Sequence, residues 1–239
     1  MNPLVRAFAI LAFFTVLPLP AGAAGPSGSA DTVQGLWDEW GQIFYVVPEK
    51  QRAARFEAFL PRVKALVTQH PDQADPLILE GIVLCTYAAS DIGLGALSKV
   101  DQARKVLLKS IDLNPRARSG AAYITLGNLY YRLPGWPISF GDEEQGRQYF
   151  EGALKLSPNG IDSNFFYGDF LLDRGEYDKA LVYLEKADRA PIRAENLLSD
   201  QNVKKEIAKA LIAARERRDD KGGFFSRIVA SVFGSSAPH

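Results

Sequence analysis

The fold of this chain is indicated by two stretches of sequence: residues 123–130, YITLGNLY, and residues 146–158, GRQYFEGALKLSP. In the first stretch a large residue, a Leu-Gly pair and an aromatic residue recur at the spacing of one helical face. The second stretch places small and aromatic residues at the same spacing and ends in a proline, which terminates a helix. Related pairs of stretches occur at residues 164–191 and 77–115. We therefore predict a series of paired helices, since no segment shows the sustained alternation of a strand.

A glycine stands inside the first predicted helix of each pair, at Gly81, Gly127 and Gly168. Glycine in a helix interior costs about 1 kcal/mol relative to alanine, so its return at matching positions needs a structural reason. We predict that each glycine allows the second helix of its pair to approach closely. The small residues expected to face these glycines are Ala103, Gly146 and Ala180.

These pairs resemble the units of the tetratricopeptide repeat (TPR) family, in which each unit is a helical hairpin. The resemblance is closest over residues 120–192 and extends to residues 74–117. It implies an all-α, right-handed solenoid of helical hairpins, here with enlarged turns between paired helices and a C-terminal capping helix. The enlarged units also resemble, more loosely, the T-component proteins that accompany periplasmic TRAP transporters.

The N-terminal region has the pattern of a targeting segment. Residues 1–23 combine a basic residue, a short apolar run and small residues at a cleavage site, which predicts a secretory signal peptide. A transmembrane anchor is the alternative, but the apolar run is shorter than the roughly 20 residues that span a bilayer. Together with the repeat type and the single cysteine of the chain, the signal peptide indicates the periplasm of a bacterium.

The remaining residues divide into a linker at 24–30, a TPR-like domain at 31–218 and a Gly/Phe-rich tail at 219–239. The tail has apolar residues at helical spacing, so it can pack on the solenoid, bind a partner or touch a membrane surface. Within the domain we predict a degenerate unit at 31–71, units at 74–117, 120–160 and 161–192, and a capping helix at 200–217.

The composition disfavours several functions. Lys plus Arg and Asp plus Glu each number 28, so no overall basic charge points to nucleic acid. Two histidines and one cysteine leave little material for a metal site and exclude a disulfide within the chain. Cys85 is interpreted as a buried apolar residue, with a reactive thiol as the alternative. Phosphate-loop and nucleophile-elbow motifs are missing, so we expect neither catalysis nor a cofactor.

The TPR resemblance implies a concave face lined by side chains of the first helices, at fixed positions around each glycine. The mixed apolar and polar character of these positions suits an apolar peptide segment or a small amphipathic molecule. For Asn128, Asp169 and Asp173 the alternative is ordinary solvation or hydrogen bonding between helices. The implied lining is Ile78, Ile82, Cys85, Thr86, Ile124, Asn128, Tyr131, Arg132, Phe165, Asp169, Leu172 and Asp173.

Two insertions enlarge the predicted turns, at residues 88–99 and 132–142. Trp136 and Phe140 in the second insertion are unusually apolar for a surface loop. They are expected either to pack against the solenoid as a plug or to form part of a binding surface. The two insertions are expected to lie on the same edge, where they could form the walls of one pocket.

Our leading hypothesis is a non-catalytic periplasmic adaptor that binds a protein or peptide partner of the cell envelope on its concave face. The second hypothesis is a transport accessory protein that binds a small amphipathic ligand, as the T-component resemblance implies. The third is an envelope-maintenance subunit anchored by its tail, with peripheral membrane contact.

Overall fold

The computed structural model describes residues 31–91 and 95–218. The predicted signal peptide, linker and tail, and residues 92–94 of the first insertion, lie outside the described residues. Within the described ranges the secondary structure is helical, with no strand. The α-helices are α1 (Val33–Gly41), α2 (Glu49–Gln69), α3 (Ala74–Ser90), α4 (Ala96–Leu113), α5 (Ala121–Arg132), α6 (Glu143–Leu156), α7 (Ile161–Asp173), α8 (Tyr177–Arg189) and α9 (Leu197–Arg215).

Shorter helical turns join these helices. A π-helical turn at Gln42–Val46 continues α1, and 3-10 turns at Ala117–Gly120 and Ala194–Asn196 lead into α5 and α9. Gly120 adopts a positive φ of 82° at the start of α5, a conformation that favours glycine.

Neighbouring helices pack as pairs, α3 with α4, α5 with α6 and α7 with α8. The first helices also contact one another, α3 with α5 and α5 with α7, so the hairpins stack side by side. Each second helix buries one apolar stripe, as α8 does with Ala180, Leu184 and Ala187. The predicted all-α, TPR-like architecture of stacked hairpins is confirmed.

The last helix, α9, packs on α7 and α8 with one face. Val203, Ile207 and Leu211 are buried on that face, while the exposed residues of the other face include Gln201, Lys205, Lys209 and Arg215. A helix with a polar outer face covers the apolar side of the final hairpin, which an open solenoid end would otherwise expose.

The close approach predicted at the three helical glycines is confirmed, but the facing side chains are larger than expected. A Cβ atom added at Gly81 would lie 2.5 Å from Leu107 Cγ, and one added at Gly168 would lie 2.9 Å from Leu184 Cγ. At Gly127 the ring of Phe150 occupies the same place, 2.8 Å from the added atom. In each pair the large residue that meets the glycine lies one helical turn after the predicted small residue. The predicted Gly146 also approaches Gly127, because a Cβ atom added at Gly146 would lie 3.1 Å from the carbonyl oxygen of Gly127.

Substitution of Gly81 by alanine is expected to lower the free energy of unfolding by about 1–3 kcal/mol, because the added methyl group overpacks the core against Leu107. This cost outweighs the helix propensity of alanine, which favours the variant by about 1 kcal/mol. Urea unfolding monitored by circular dichroism measures the change.

The matched control is Gly41→Ala at the end of α1. There the added Cβ would lie 3.6 Å from Leu198 Cδ2, an ordinary contact distance. This variant is expected to be as stable as the parent, or more stable by up to about 1 kcal/mol. Equal stability of the two variants would contradict the close approach of α3 and α4.

The two insertions differ in structure. The second forms an enlarged turn, the loop of residues 133–142 between α5 and α6. Most of the first insertion belongs to the end of α3 and the start of α4, and only residues 91–95 separate these helices. Ala88, Ala96 and Val100 are buried, so the helices lengthen because their apolar stripes continue into the insertion.

The first helix lies across the solenoid. In the predicted degenerate unit α1 pairs with α2, and Leu36 of α1 lies in one core cluster with Phe56 of α2. Helix α1 also contacts α3, and its π-helical turn contacts α9 at the other end of the domain. Trp40 Nε1 donates a hydrogen bond to Thr86 Oγ1 of α3 at 3.3 Å. The hydroxyls of Tyr45 and Ser199 are 3.2 Å apart. The concave face therefore carries a helix of the same chain.

Candidate functional site

A cavity of about 550 Å³ lies between α1 and the concave side of the hairpins. The helices α3, α5 and α7 form its floor, and α1 with its π-helical turn covers it. The segment of residues 193–203, which includes the start of α9, closes one side. We call this space the central cavity.

The lining of the central cavity is mainly apolar and aromatic. The structure places Ile82, Ile124 and Asn128 there, together with Cys85 and Thr86, so part of the lining implied by the repeat register faces this space. The repeat register did not indicate the contributions of α1 and residues 193–203, and on α7 it indicated residues other than Asp162 and Phe166, which line the cavity. The aromatic residues among the lining are Trp37, Trp40, Phe44, Tyr45 and Phe166.

One sequence signal could have revealed the role of α1. Trp37, Trp40 and Phe44 recur at helical spacing, so the helix presents an aromatic stripe that needs an apolar surface. Trp40 and Phe44 stack with ring centroids 5.5 Å apart. Nothing in the local pattern says which surface the stripe covers.

Three uncharged polar side chains of the floor, on α3 and α5, are bonded to the backbone of their own helices. Thr86 Oγ1 donates to the carbonyl oxygen of Ile82 at 2.9 Å, and Thr125 Oγ1 donates to Ala121 at 2.9 Å. Asn128 Nδ2 donates to the carbonyl oxygen of Ile124 at 2.9 Å. Burial raises the pKa of the Cys85 thiol to about 12, which keeps this side chain uncharged at neutral pH.

The two arginines of the lining are neutralised by neighbouring carboxylates. Arg193 Nη2 lies 2.6 Å from Asp162 Oδ2 and 2.6 Å from Asp200 Oδ1. Arg118 Nε lies 2.7 Å from Asp75 Oδ1, and its guanidinium stacks over the Trp37 ring at 4.8 Å. Neither guanidinium is a spare cation for an anionic ligand.

Three other residues implied for the concave face form a buried ion cluster between α5 and α7. Arg132 Nη2 lies 3.0 Å from Asp169 Oδ2, and Arg132 Nη1 lies 2.5 Å from Asp173 Oδ2. None of these side chains is more than 8% exposed. Burial disfavours the charged guanidinium, but the two carboxylates outweigh it and raise the pKa of Arg132. Asp169 and Asp173 thus bond to a neighbouring helix, which was the alternative to partner binding in the sequence analysis.

The remaining residues of the implied face contribute to the core. Ile78 and Phe165 are each 1% exposed. Tyr131 packs edge-to-face on Phe170 with ring centroids 4.8 Å apart. The structure therefore divides the implied binding face into cavity lining, ion cluster and core.

The loop of residues 133–142 holds its two aromatic residues differently. Phe140 packs on Tyr130, with ring centroids 5.1 Å apart, and under the guanidinium of Arg104 at 4.4 Å. Trp136 is 89% exposed and Ile138 is 65% exposed. Phe140 thus packs as the plug hypothesis expects, whereas Trp136 projects from the protein.

Neither insertion contributes a described residue to the central cavity lining. The expected pocket between the two insertions is therefore not supported by their described residues. These are residues 88–91 and 95–99 of the first insertion and residues 132–142 of the second. The cavity has other walls, supplied by α1 and by the start of α9.

Over residues 31–91 and 95–218, no helix combines the length and hydropathy needed to cross a membrane. The same residues contain no group of three or more His, Cys, Asp or Glu side chains arranged to hold a metal ion.

Comparisons with known proteins give a likeness among solved structures. No family model matches the chain, and no curated protein matches it. Among solved structures, the crystal structure of the MamA protein is similar over 80% of this chain and 95% of that chain, with 20% sequence identity and a TM-score of 0.39. At this level of similarity the fold assignment rests on the packed helix pairs themselves.

Proposed function

We propose that this chain is a non-catalytic, TPR-like scaffold of the bacterial periplasm that binds a protein partner of the cell envelope through the loop of residues 133–142. The observation that carries the proposal is Trp136, which is 89% exposed on an ordered loop. Tryptophan is the residue type most often found as an energetic anchor of protein interfaces.

Because α1 covers the concave face, we place the proposed binding surface on this loop. Helix α1 occupies the position that a peptide partner would take in an open solenoid. Arg132, Asp169 and Asp173 are held by one another instead of facing a partner. A partner on the concave face would therefore have to displace α1.

The loop is held in place before any partner binds. The backbone N–H of Gly141 donates to Pro134 O at 3.0 Å, and that of Asp142 donates to Tyr130 O at 2.7 Å. A Cβ atom at Gly141 would lie 1.8 Å from the carbonyl oxygen of Leu133, so only glycine fits at this crossing. A fixed loop loses little conformational entropy on binding, which favours affinity.

The charge next to the loop indicates the chemistry of the partner. Asp142, Glu143 and Glu144 are exposed at the start of α6. Arg174 pairs with Glu143 at 3.1 Å, and Arg104, which lies over Phe140, pairs with Asp101 at 3.2 Å. Asp142 and Glu144 therefore leave a net negative charge at the end of the loop. A protein with an apolar pocket bordered by lysine or arginine complements this surface, whereas an anionic membrane surface does not.

Photo-crosslinking in the native envelope tests the proposal. A photoreactive residue at position 136 is expected to give a defined adduct with an envelope protein. The same residue at Val182, an exposed position on α8, serves as the control and is expected to give none. Lipid adducts alone, or the same adducts from both positions, would contradict the proposal.

The purified pair then gives a quantitative test. Trp136→Ala is expected to weaken binding by about 30-fold or more, the loss of an interface anchor. Rising salt is expected to weaken binding to the parent protein, and this dependence should flatten in a variant carrying Asp142→Asn and Glu144→Gln. Val182→Ala should bind as the parent does. Unchanged affinity of Trp136→Ala would show that the loop is not the contact surface.

A further inference from the structure

We infer that the central cavity is a binding site for a small, uncharged and mainly apolar molecule. This site is separate from the loop of residues 133–142 and goes beyond the scaffold function. It gives a defined location to the second hypothesis drawn from the sequence. The two proposals can fail independently, since one concerns a protein adduct at position 136 and the other a molecule beneath α1.

The size of the cavity is the first argument. Protein interiors pack densely and contain few voids larger than a water molecule. The central cavity measures about 550 Å³, within the range of about 300–1,000 Å³ typical of small-molecule sites. Helix α1 creates this space by lying over the hairpins without filling the groove between them.

The walls determine the polarity of the ligand. Ile82 and Ile124 form apolar parts of the floor, and Trp37, Trp40 and Phe166 supply aromatic surface. The hydroxyls of the lining threonines donate to backbone carbonyls of their own helices. A mainly apolar molecule gains from such walls, whereas a strongly polar one would lose its hydration without replacement.

The charges determine that the ligand is uncharged. Arg118 and Arg193 are bound by carboxylates, so an anion would find no spare cation. Asp162 also lines the cavity and shares the Arg193 guanidinium with Asp200, but burial raises the pKa of the Asp162 carboxyl and so favours its uncharged form. Asp38 and Glu195, also among the lining residues, are exposed to solvent and would repel an anion at the edge of the cavity. Their charges are screened by water, so they offer a cation little gain for the hydration that it would lose inside.

Displacement of an uncharged fluorescent probe, N-phenyl-1-naphthylamine, tests the site in the purified protein. Saturable binding of one probe molecule per chain is expected. Three competitors share one alkyl chain and differ in charge: decanol, decanoate and decyltrimethylammonium. Decanol is expected to displace the probe at concentrations at least about tenfold lower than either charged competitor. Equal potency of a charged competitor, or no saturable binding, would overturn the inference.

A filled cavity provides the matched variant. Ile82→Trp places a larger side chain in the cavity and is expected to weaken probe binding by about tenfold or more. Val182→Trp adds the same side chain at an exposed position of α8 and should bind the probe as the parent does. Circular dichroism establishes that both variants fold. Unchanged binding by a folded Ile82→Trp protein would place the probe elsewhere.

A second measurement on the unaltered protein covers the case in which Ile82→Trp fails to fold. Cys85 lines the cavity and is the only cysteine of the chain. Saturating decanol is expected to slow alkylation of this thiol by N-ethylmaleimide by about tenfold or more, because the bound molecule blocks access. An unchanged alkylation rate would also overturn the inference.

Discussion

Replacement of Arg132 by alanine is expected to lower the free energy of unfolding by about 3–5 kcal/mol. The change removes the cation that neutralises Asp169 and Asp173 between α5 and α7. Two carboxylates that are each no more than 8% exposed would then be left close together without their counter-ion. Urea unfolding at neutral pH measures the loss, and lower pH should reduce it because protonation removes the buried negative charge.

A second arginine of the same region provides the control for Arg132. Arg174 pairs with Glu143 at 3.1 Å, but both side chains are nearly half exposed. Water and salt screen such a pair, so Arg174→Ala is expected to cost no more than about 1 kcal/mol. If the two alanine variants were equally stable, the Arg132 cluster could not be a buried structural element. Its residues would then again be candidates for partner binding.

The thiol of Cys85, which is half-buried where it lines the cavity, is expected to react with N-ethylmaleimide at least about tenfold more slowly than an ordinary exposed thiol at about pH 8. Burial raises its pKa from 9.0 to about 12, and the thiolate is the form that reacts. The rate should continue to rise by about tenfold per pH unit up to about pH 10, where an exposed thiol already levels off. Stopped samples analysed by mass spectrometry give the rate at each pH.

The matched control carries its cysteine on the protein surface. A protein with Cys85→Ala and Val182→Cys has a single thiol at an exposed position of α8. Its alkylation should show the rate and the pH dependence of an ordinary thiol. If Cys85 reacted as fast as this control, the thiol would be in contact with water, and the apolar character of the cavity would be in doubt.

The hairpins were predictable because their signals are local and repeated. Gly81, Gly127 and Gly168 recur at one position of the first helices, and the structure places a large side chain of the second helix against each of them. The large side chain that meets each glycine comes one turn after the predicted small residue, although Gly146 does approach Gly127 as predicted. Helical periodicity specifies a face, but the height at which two helices interlock depends on both partners.

The ion cluster shows why side-chain roles were harder to predict than helices. Arg132, Asp169 and Asp173 occupy positions that face the groove in the repeat register, and such positions equally suit a ligand or a neighbouring helix. The choice depends on how closely α5 and α7 approach. Sequence spacing within either helix does not report that distance.

The all-helical class, the pairing of α3 to α8 and the polar outer face of α9 could be predicted from the sequence, because each follows from periodicity over a few turns of one helix. The position of α1 over the concave face, which creates the central cavity, could not. That arrangement depends on contacts such as the one between Tyr45 and Ser199, which are 154 residues apart. The same holds for the loop of residues 133–142, in which Trp136 is exposed to solvent while Phe140 packs on Tyr130. Contacts between distant segments depend on the shape of the whole assembly, which no local pattern encodes.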